Sequence, residues 1–549
     1  MKLQSTGRWD PETTLVGQLA AAVSLVAFLF YFRHGDLLLY GDAVAHINIA
    51  RRVVDSRTPG LLQLGTVWLP LPHLLMIPFL LSDAAWQTGI AGAIPSMVAY
   101  VLGTVGVFRL VRGALSHNAK PSPAVRLSAW LAALIYAGNP NLLYLQNTAM
   151  TEPLYLALFI WALVRFSEFA QSATTADKHS SPASSSLTKC GLCVAAACFT
   201  RYDGWFLAVV LCSAAVLVVI QSSKARSLAP AFARFVLLAG AAPLLWLGYN
   251  AAVYRNPLEF ANGPYSARAI EQKSMQSHPG ANDLPVAFSY FLKSAELNMT
   301  EAGWQKLWVA VLLAGSLMIF IFDLRLWFLL LLWTQLVFYV LSITYAGVPI
   351  YLPPWWPFSL YNARYGLQLL PAFAVFTALL LHFLLVLARG RWTKTAVGVV
   401  VVSLVAVSYA SVWRSQPICY REAWVNSRTR ITLETQLASH LRLLPHDATL
   451  LMYLGDHVGA LQRALIPLRQ TINEGNHRPW ARPSDPDGLW ERALADPHQY
   501  ADYLIALDGD PVAAAAQRAV QRHDLTSMVV IHTVGQPTAT IYWTGRVAR

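Results

Sequence analysis

Long uncharged apolar segments follow one another along the first three quarters of the chain. An α-helix needs roughly 17 to 25 such residues to cross a bilayer. Shorter apolar runs occur at 153–164, 187–200 and 307–322, and segments of about the required length occur at 15–32, 58–82, 89–108, 127–151, 204–223, 235–254, 326–345, 365–388 and 395–413. This pattern predicts a polytopic α-helical membrane protein.

The segment 58–82 differs from the others because it contains Pro59, Pro70, Pro72 and Pro78. Proline removes a hydrogen-bond donor and disrupts a helix. If this segment crossed the bilayer, the later basic loops would face outward, against the positive-inside rule. We therefore expect a juxtamembrane or re-entrant element here. That leaves about eleven spans, with the N-terminus in the cytoplasm and the first span retained as a signal anchor.

The chain becomes polar after the last apolar segment. Short apolar runs remain at 449–454, 503–507 and 527–532, and short runs bounded by turn residues are typical of strands. We expect a transmembrane domain at 1–412, followed at 413–549 by a small C-terminal α/β domain outside the cytoplasm.

Composition and charge narrow the class of protein. The sequence is 56% hydrophobic and 13% charged, about half the charged share of a typical globular protein, which excludes an ordinary soluble enzyme. The net charge is +12, and nearly all of the excess lies in the membrane part, where basic loops set orientation. Nucleic acid is therefore not an expected partner. The expected location is the inner cell membrane, with membrane lipid as a partner.

Charged side chains beside apolar helix ends are costly to desolvate and are functional candidates by default. The first is Asp42, with His46 four positions later. On a helix these residues share a face, so the imidazole either orients the carboxylate or joins it in holding a metal or a substrate hydroxyl. Asp42 is the candidate general base. A helix N-cap Asp with a surface His is an equally good interpretation.

Two further candidates stand at predicted outer turns. Glu152 is a single acid in an almost uncharged region and precedes Pro153, so it is either a costly helix cap or a functional group. Arg201 and Asp203 lie in the turn of a predicted helical hairpin. There they either neutralise each other or contact a substrate.

The remaining candidates include Arg364, which precedes a late span and is followed by Tyr365. A guanidinium fork suits the oxygens of a phosphate. His73 is the only titratable group in its segment and either reaches a lipid phosphate or is an interfacial His without a role. Residues 255–303, which include Arg268, form a basic outer loop that we expect to close over a lipid-linked anion.

In this order the motifs resemble those of the GT-C superfamily, the membrane glycosyltransferases that use polyprenyl-phosphate-linked sugars. They most resemble its aminoarabinose-transferase and protein-mannosyltransferase branch. The resemblance covers about residues 15–412, and the motifs that carry it are Gly41-Asp42 to His46, Asn139-Pro140 leading to Thr151-Glu152-Pro153, Thr200-Arg201-Tyr202-Asp203-Gly204, and Arg364-Tyr365.

The resemblance implies single displacement, with inversion, of a hexosyl or pentosyl group. The donor is a polyprenyl-phosphate sugar, and the acceptor is a glycan, a lipid or a protein at the outer membrane face. By resemblance, the catalytic residues are Asp42 and Glu152, and the substrate-binding residues are His46, His73, Arg201, Asp203, Arg364 and Tyr365.

The sequence departs from the family pattern at two positions. Ala43 stands where many relatives have a second acid, and His73 replaces the usual Lys. Without paired acids at the site, we expect a metal-independent enzyme with no cofactor. The alternative function is a transporter or flippase for a lipid-linked saccharide, which needs ionisable or unwound positions at mid-membrane.

Overall fold

The computed structural model describes residues 10–116, 121–174, 181–264, 266–273, 277–455, 457–476, 487–521 and 525–546. Most of them are helical. The short 3₁₀ helices are Asp36–Leu38, Leu61–Leu64, Phe79–Leu81, Leu324–Trp333, Ala363–Leu369 and Leu468–Gln470. The α-helices are Pro11–His34, Gly41–Arg52, Leu71–Met76, Asp83–Thr88, Ile90–Ser116, Pro123–Ala137, Pro140–Leu145, Glu152–Thr174, Ser181–Cys198, Asp203–Gln221, Ala225–Tyr254, Glu259–Asn262, Ala267–Lys273, Leu284–Met299, Gln305–Phe322, Thr334–Tyr345, Leu370–Leu387, Arg391–Ser415, Ile418–Leu441, Gly459–Ala464, Leu489–Ala495, Pro497–Tyr500 and Pro511–Val520.

Nine helices among the described residues are long and apolar enough to cross a membrane. A shorter apolar helix, Pro123–Ala137, packs against three of them. Another helix, Ser181–Cys198, packs against the candidate spans on either side of it in the chain. The prediction of about eleven spans counts these two helices as well, although Pro123–Ala137 has only 15 residues, and the number eleven stays a prediction.

The proline-rich segment 58–82 forms no long helix. It is divided into Leu61–Leu64, Leu71–Met76 and Phe79–Leu81, each far shorter than the roughly 17 residues that a crossing requires. Together with the helix Gly41–Arg52, these pieces make up a first interhelical loop at 35–89. We call this segment the first loop.

The chain beyond the apolar helix Arg391–Ser415 begins with the helix Ile418–Leu441 and contains one five-stranded sheet. The strands are β1 Leu450–Met452, β2 Thr471–Ile472, β3 Tyr503–Leu507, β4 Thr526–Ile531 and β5 Ala539–Trp543. In the order β2-β1-β3-β5-β4, the first three strands are parallel, and β5 pairs antiparallel with β3 and β4. The predicted class, a polytopic helical protein with a small α/β unit at its C-terminal end, is confirmed.

Polar contacts, several of them buried, hold the first loop against the C-terminal α/β unit. Asn48 donates from Nδ2 to Gln462 Oε1 over 3.0 Å, and Asp55 Oδ1 lies 3.1 Å from Arg469 Nη1. Arg430 donates to two carbonyl oxygens of the first loop, at 2.9 Å and 3.1 Å. Asn48 and Gln462 are both almost fully buried. The C-terminal unit therefore contacts the helix Gly41–Arg52 itself and the residues that precede and follow it. The predicted domain boundary at 412/413 remains a prediction.

Candidate active site

Asp42 lies in the first turn of the helix Gly41–Arg52 and makes no cap, because Tyr40 occupies the N-cap position. Its carboxylate instead accepts a hydrogen bond from Arg364, with 2.6 Å between Nη2 and Oδ2. A carboxylate in the first turn also interacts favourably with the helix dipole. The side chain of Asp42 is 41% exposed, which makes it the one accessible acid of the site. The capping interpretation of Asp42 is therefore wrong.

Arg364 is the centre of the arrangement, with a side chain that is only 7% exposed. It enters the site from the 3₁₀ helix Ala363–Leu369, after Asn362 in a left-handed conformation with φ 56°. Each of its three nitrogens donates to a different carboxylate: Nε to Glu152 over 3.2 Å, Nη1 to Glu422 over 2.8 Å, and Nη2 to Asp42 over 2.6 Å.

Glu422 is the member of the site that the sequence analysis missed. It lies in the first turns of the helix Ile418–Leu441 and is buried. Its Oε1 accepts from Arg364, while its Oε2 accepts from the backbone N–H of Ala363 over 2.6 Å. Both carboxylate oxygens of Glu422 are thus bonded to the start of the 3₁₀ helix that carries Arg364.

Glu152 joins Arg364 to a second arginine. Its Oε1 lies 3.2 Å from Arg364 Nε and 3.3 Å from Arg201 Nη1. Arg201 Nη1 also donates to the hydroxyl of Thr151 over 2.9 Å. The second oxygen of Glu152, Oε2, is buried and has no hydrogen-bond partner among the described residues. Glu152 is therefore a bridging carboxylate with one oxygen unused.

Arg201 and Asp203 do pair with each other, at 3.2 Å between Nε and Oδ2. Tyr339 completes this group, because its hydroxyl accepts from Arg201 Nη2 over 2.8 Å and donates to Asp203 Oδ2 over 3.1 Å. The structural pairing predicted from the sequence is present. It is also continuous with Glu152, so it belongs to the same charge network.

Aromatic rings enclose the two guanidinium groups. The guanidinium carbon of Arg364 lies 5.0 Å from the ring centroid of Tyr40 and 5.1 Å from that of Tyr365. That of Arg201 lies 5.3 Å from the same Tyr365 ring. Stacking of this kind suits the planar, weakly hydrated guanidinium. Tyr365 thus holds both arginines at a fixed spacing.

His46 and His73 form a separate buried pair. His46 Nδ1 and His73 Nε2 are 2.9 Å apart, and Trp68 packs against His46 with the ring centroids 4.5 Å apart. The hydrogen bond described for His46 is thus to His73, not to Asp42. Burial lowers the pKa of His46 to about 3, with further lowering by the charges of Arg201 and Arg364. Burial likewise lowers the pKa of His73. Both imidazoles are therefore neutral near pH 7.

Comparison with solved structures identifies the fold around this site. The structure is similar to a crystal structure of ArnT from Cupriavidus metallidurans bound to undecaprenyl phosphate, with a TM-score of 0.57 and 13% identity over 95% of this chain and 97% of that one. The apo structure of ArnT matches with a TM-score of 0.54 and the same identity and coverage. The chain has a GT-C fold. No protein-family model and no curated protein matches the sequence.

The GT-C fold was predicted from the order of the motifs, and that prediction is confirmed. At 13% identity the likeness shows the fold alone, so the roles of individual residues depend on the geometry. Within this fold, Asp42, Glu152, Arg201, Asp203, Arg364 and Tyr365 meet in one cluster, while His46 and His73 form their own pair.

Acidic side chains outnumber basic ones in the cluster. Four carboxylates (Asp42, Glu152, Asp203, Glu422) accompany two guanidinium groups (Arg201, Arg364). In the part of the chain that the structure describes, no group of three or more His, Cys, Asp or Glu side chains is arranged to hold a metal ion. The carboxylates here are directed at the arginines.

The basic segment 255–303 is folded in the parts that are described; residues 265 and 274–276 lie outside the described residues. Arg268, Glu271 and His278 line a cavity of about 450 Å³ with the end of the helix Thr334–Tyr345. His278 bonds through both ring nitrogens, to Glu271 Oε1 over 2.5 Å and to a backbone carbonyl over 2.8 Å. Closure of this loop over an anion remains a prediction.

Proposed function

We propose that this protein is a membrane glycosyltransferase. It transfers a sugar from a polyprenyl-phosphate donor to an acceptor, at the outer face of the cytoplasmic membrane. The observation that carries the proposal is the direct contact between Asp42 and Arg364 inside a GT-C fold, 2.6 Å apart although 322 residues separate them in the chain. The similar ArnT structure is one bound to undecaprenyl phosphate, a lipid phosphate of the class proposed here.

Asp42 acts as the base in this proposal. Its exposed carboxylate takes the proton of an acceptor hydroxyl or amine while the acceptor atom attacks the anomeric carbon of the donor sugar. The bond between that carbon and the phosphate oxygen breaks, and its electron pair stays on the phosphate. Attack opposite to the leaving group inverts the anomeric configuration.

Arg364 receives the leaving phosphate. The Nη2 edge now occupied by Asp42 is the accessible edge of the guanidinium, because the carboxylates on its other two nitrogens are each only 1% exposed. A phosphate that takes this edge frees Asp42 from its ion pair at the moment a base is needed. Removing one preorganised donor of this kind typically lowers kcat by about 10² to 10³.

Glu152, Arg201, Asp203 and Tyr365 hold the site in shape. The unused oxygen Oε2 of Glu152 and the unused Oδ1 of Asp203 are buried acceptors. Buried acceptors without partners favour a ligand that brings donors. We assign them to hydroxyl or amino groups of the sugar. The neutral pair of His46 and His73 is buried and lies near enough to Arg201 and Arg364 for their charges to act on His46; its contact with the donor phosphate stays a prediction.

The test uses purified protein in detergent with undecaprenyl-phosphate carrying a radiolabelled sugar and a mixture of candidate acceptors. The expected result is release of undecaprenyl phosphate, which Asp42→Asn reduces by at least 10²-fold while the variant stays folded. Asp447→Asn is the matched control, because Asp447 is exposed and lies in the C-terminal unit. Bound donor that is never cleaved would favour a lipid-linked saccharide transporter instead.

A further inference from the structure

Glu422 occupies an unusual position for a buried acid. It comes from the helix Ile418–Leu441, which follows the apolar helix Arg391–Ser415, yet its carboxylate reaches the candidate active site and contacts Arg364 over 2.8 Å. The side chain is 1% exposed. Both of its oxygens are already bonded, one to Arg364 and one to the N–H of Ala363. Because its side chain is also buried, Glu422 presents no accessible oxygen to a substrate.

The three carboxylates on Arg364 differ in how easily they can leave. Asp42 has 41% of its side chain exposed, whereas Glu152 and Glu422 have 1% each. Glu152 is also held by Arg201 at 3.3 Å. A phosphate that binds Arg364 therefore exchanges with Asp42, while the charge of Glu422 stays on the neighbouring nitrogen of the same guanidinium.

That retained charge opposes the binding of an anion. The carboxylate of Glu422 and a phosphate bound to Arg364 would both be negative and would lie on neighbouring nitrogens of one guanidinium. At the effective dielectric constant of about 20 that suits protein sites, their repulsion weakens phosphate binding about tenfold or more. A membrane transferase of the proposed kind must release a spent lipid phosphate after every turnover. An arginine without this opposing charge binds such a phosphate more tightly.

We propose that Glu422 is a positioning residue that acts through Arg364. It fixes the guanidinium toward the site and limits its affinity for the lipid phosphate, so that the spent carrier dissociates. This inference rests on the proposed function, because it assumes that Arg364 receives the phosphate of a polyprenyl carrier. It also gives the C-terminal unit a direct part in the active site.

The test measures the binding of undecaprenyl phosphate to purified full-length protein and the inhibition of sugar release by the same compound. Glu422→Gln preserves size but removes the charge, and we expect it to lower both Kd and the inhibition constant about tenfold. A purely structural role predicts the opposite sign, because a loosened site binds its ligand more weakly. Unchanged or weaker binding by a folded Glu422→Gln variant overturns the proposal.

Two further variants keep the test decisive. Glu422→Asp moves the negative charge away from Arg364 by one methylene group. Its Kd for undecaprenyl phosphate should lie between those of the wild type and Glu422→Gln, and this variant tests the proposal if Glu422→Gln does not fold. Glu434→Gln is the control, because Glu434 lies on the same helix, is equally buried and pairs with Arg430 at 2.9 Å. The Kd of the Glu434→Gln variant for undecaprenyl phosphate should stay within twofold of the wild-type value. Tightening by Glu434→Gln as well would count against a specific role of Glu422.

The two proposals fail in different ways. If the wild-type protein neither binds undecaprenyl phosphate nor releases it from a donor, the proposed function is wrong. If the wild type does both and the variants at position 422 bind no more tightly, only the role of Glu422 is wrong.

Discussion

Removal of Arg364 is the perturbation with the largest expected effect on stability. Its guanidinium is the shared partner of Asp42, Glu152 and Glu422. In Arg364→Ala, Glu422 keeps only the N–H of Ala363, and Glu152 keeps only its contacts to Arg201. The variant therefore leaves at least one buried carboxylate without a counter-charge.

The expected loss follows from the burial of these groups. Breaking a buried ion pair by removing one partner costs about 3 to 5 kcal/mol, because the remaining charge is left desolvated and uncompensated. The pair of Arg325 and Asp323 supplies the comparison, since the Arg325 side chain is 82% exposed and that of Asp323 is 23% exposed. Exposed pairs contribute about 0 to 1 kcal/mol. Arg325→Ala should therefore change the free energy of unfolding by no more than that.

The assay is denaturation in mixed micelles, followed by the tryptophan fluorescence of the purified variants. Arg364→Ala should lose about 3 to 5 kcal/mol of unfolding free energy. The double variant Arg364→Ala, Glu422→Gln should regain part of that loss, because the unpaired charge is gone. The reasoning is refuted if Arg364→Ala is as stable as Arg325→Ala, or if the second substitution only adds to the loss.

Three further predictions concern orientation, the first loop and pH. Val534→Cys, at a position 92% exposed in the C-terminal unit, should react with an impermeant maleimide in intact cells; labelling only after lysis would place this unit in the cytoplasm. Asn48→Ala removes the bonds to Gln462 and to Trp86 and should lower the free energy of unfolding by about 1 to 3 kcal/mol, whereas an unchanged denaturation midpoint would contradict the anchoring of the first loop. The pKa of His46 is about 3 in the folded protein and near 6.5 in the unfolded chain. Between these values His46 is protonated only in the unfolded chain, so the free energy of unfolding should fall as the pH drops below about 6.5. His46→Gln should reduce this slope, and an equal slope in both proteins would show that the pair with His73 does not govern it.

The membrane architecture could be predicted from the sequence because it depends on local properties. Uncharged apolar runs mark the spans, and four prolines explain why 58–82 is broken into short helices. The meeting of Asp42 and Arg364 could also be anticipated, since both lie at apolar helix ends on the same predicted face.

The partners within the site could not be predicted in the same way. Glu422 lies in a polar helix, where an acid carries no signal, and its role depends on a contact 58 residues back in the chain. His46 and Asp42 share a helix face, but His46 pairs with His73 because the first loop folds back over 27 residues. A spacing of four positions shows which residues are neighbours on one helix. It contains no information about the side chains that another segment brings nearby.

The anchoring of the first loop has a consequence for the order in which the protein is made. Asn48 and Gln462 are separated by 414 residues, which a ribosome adding 5 to 20 residues per second takes roughly 20 to 80 seconds to synthesise. During that interval the segment around Asp42 lacks its contacts with the C-terminal unit. The protein's maturation therefore ends with a docking event late in biogenesis, and chains that terminate early should leave the ribosome inserted yet incomplete.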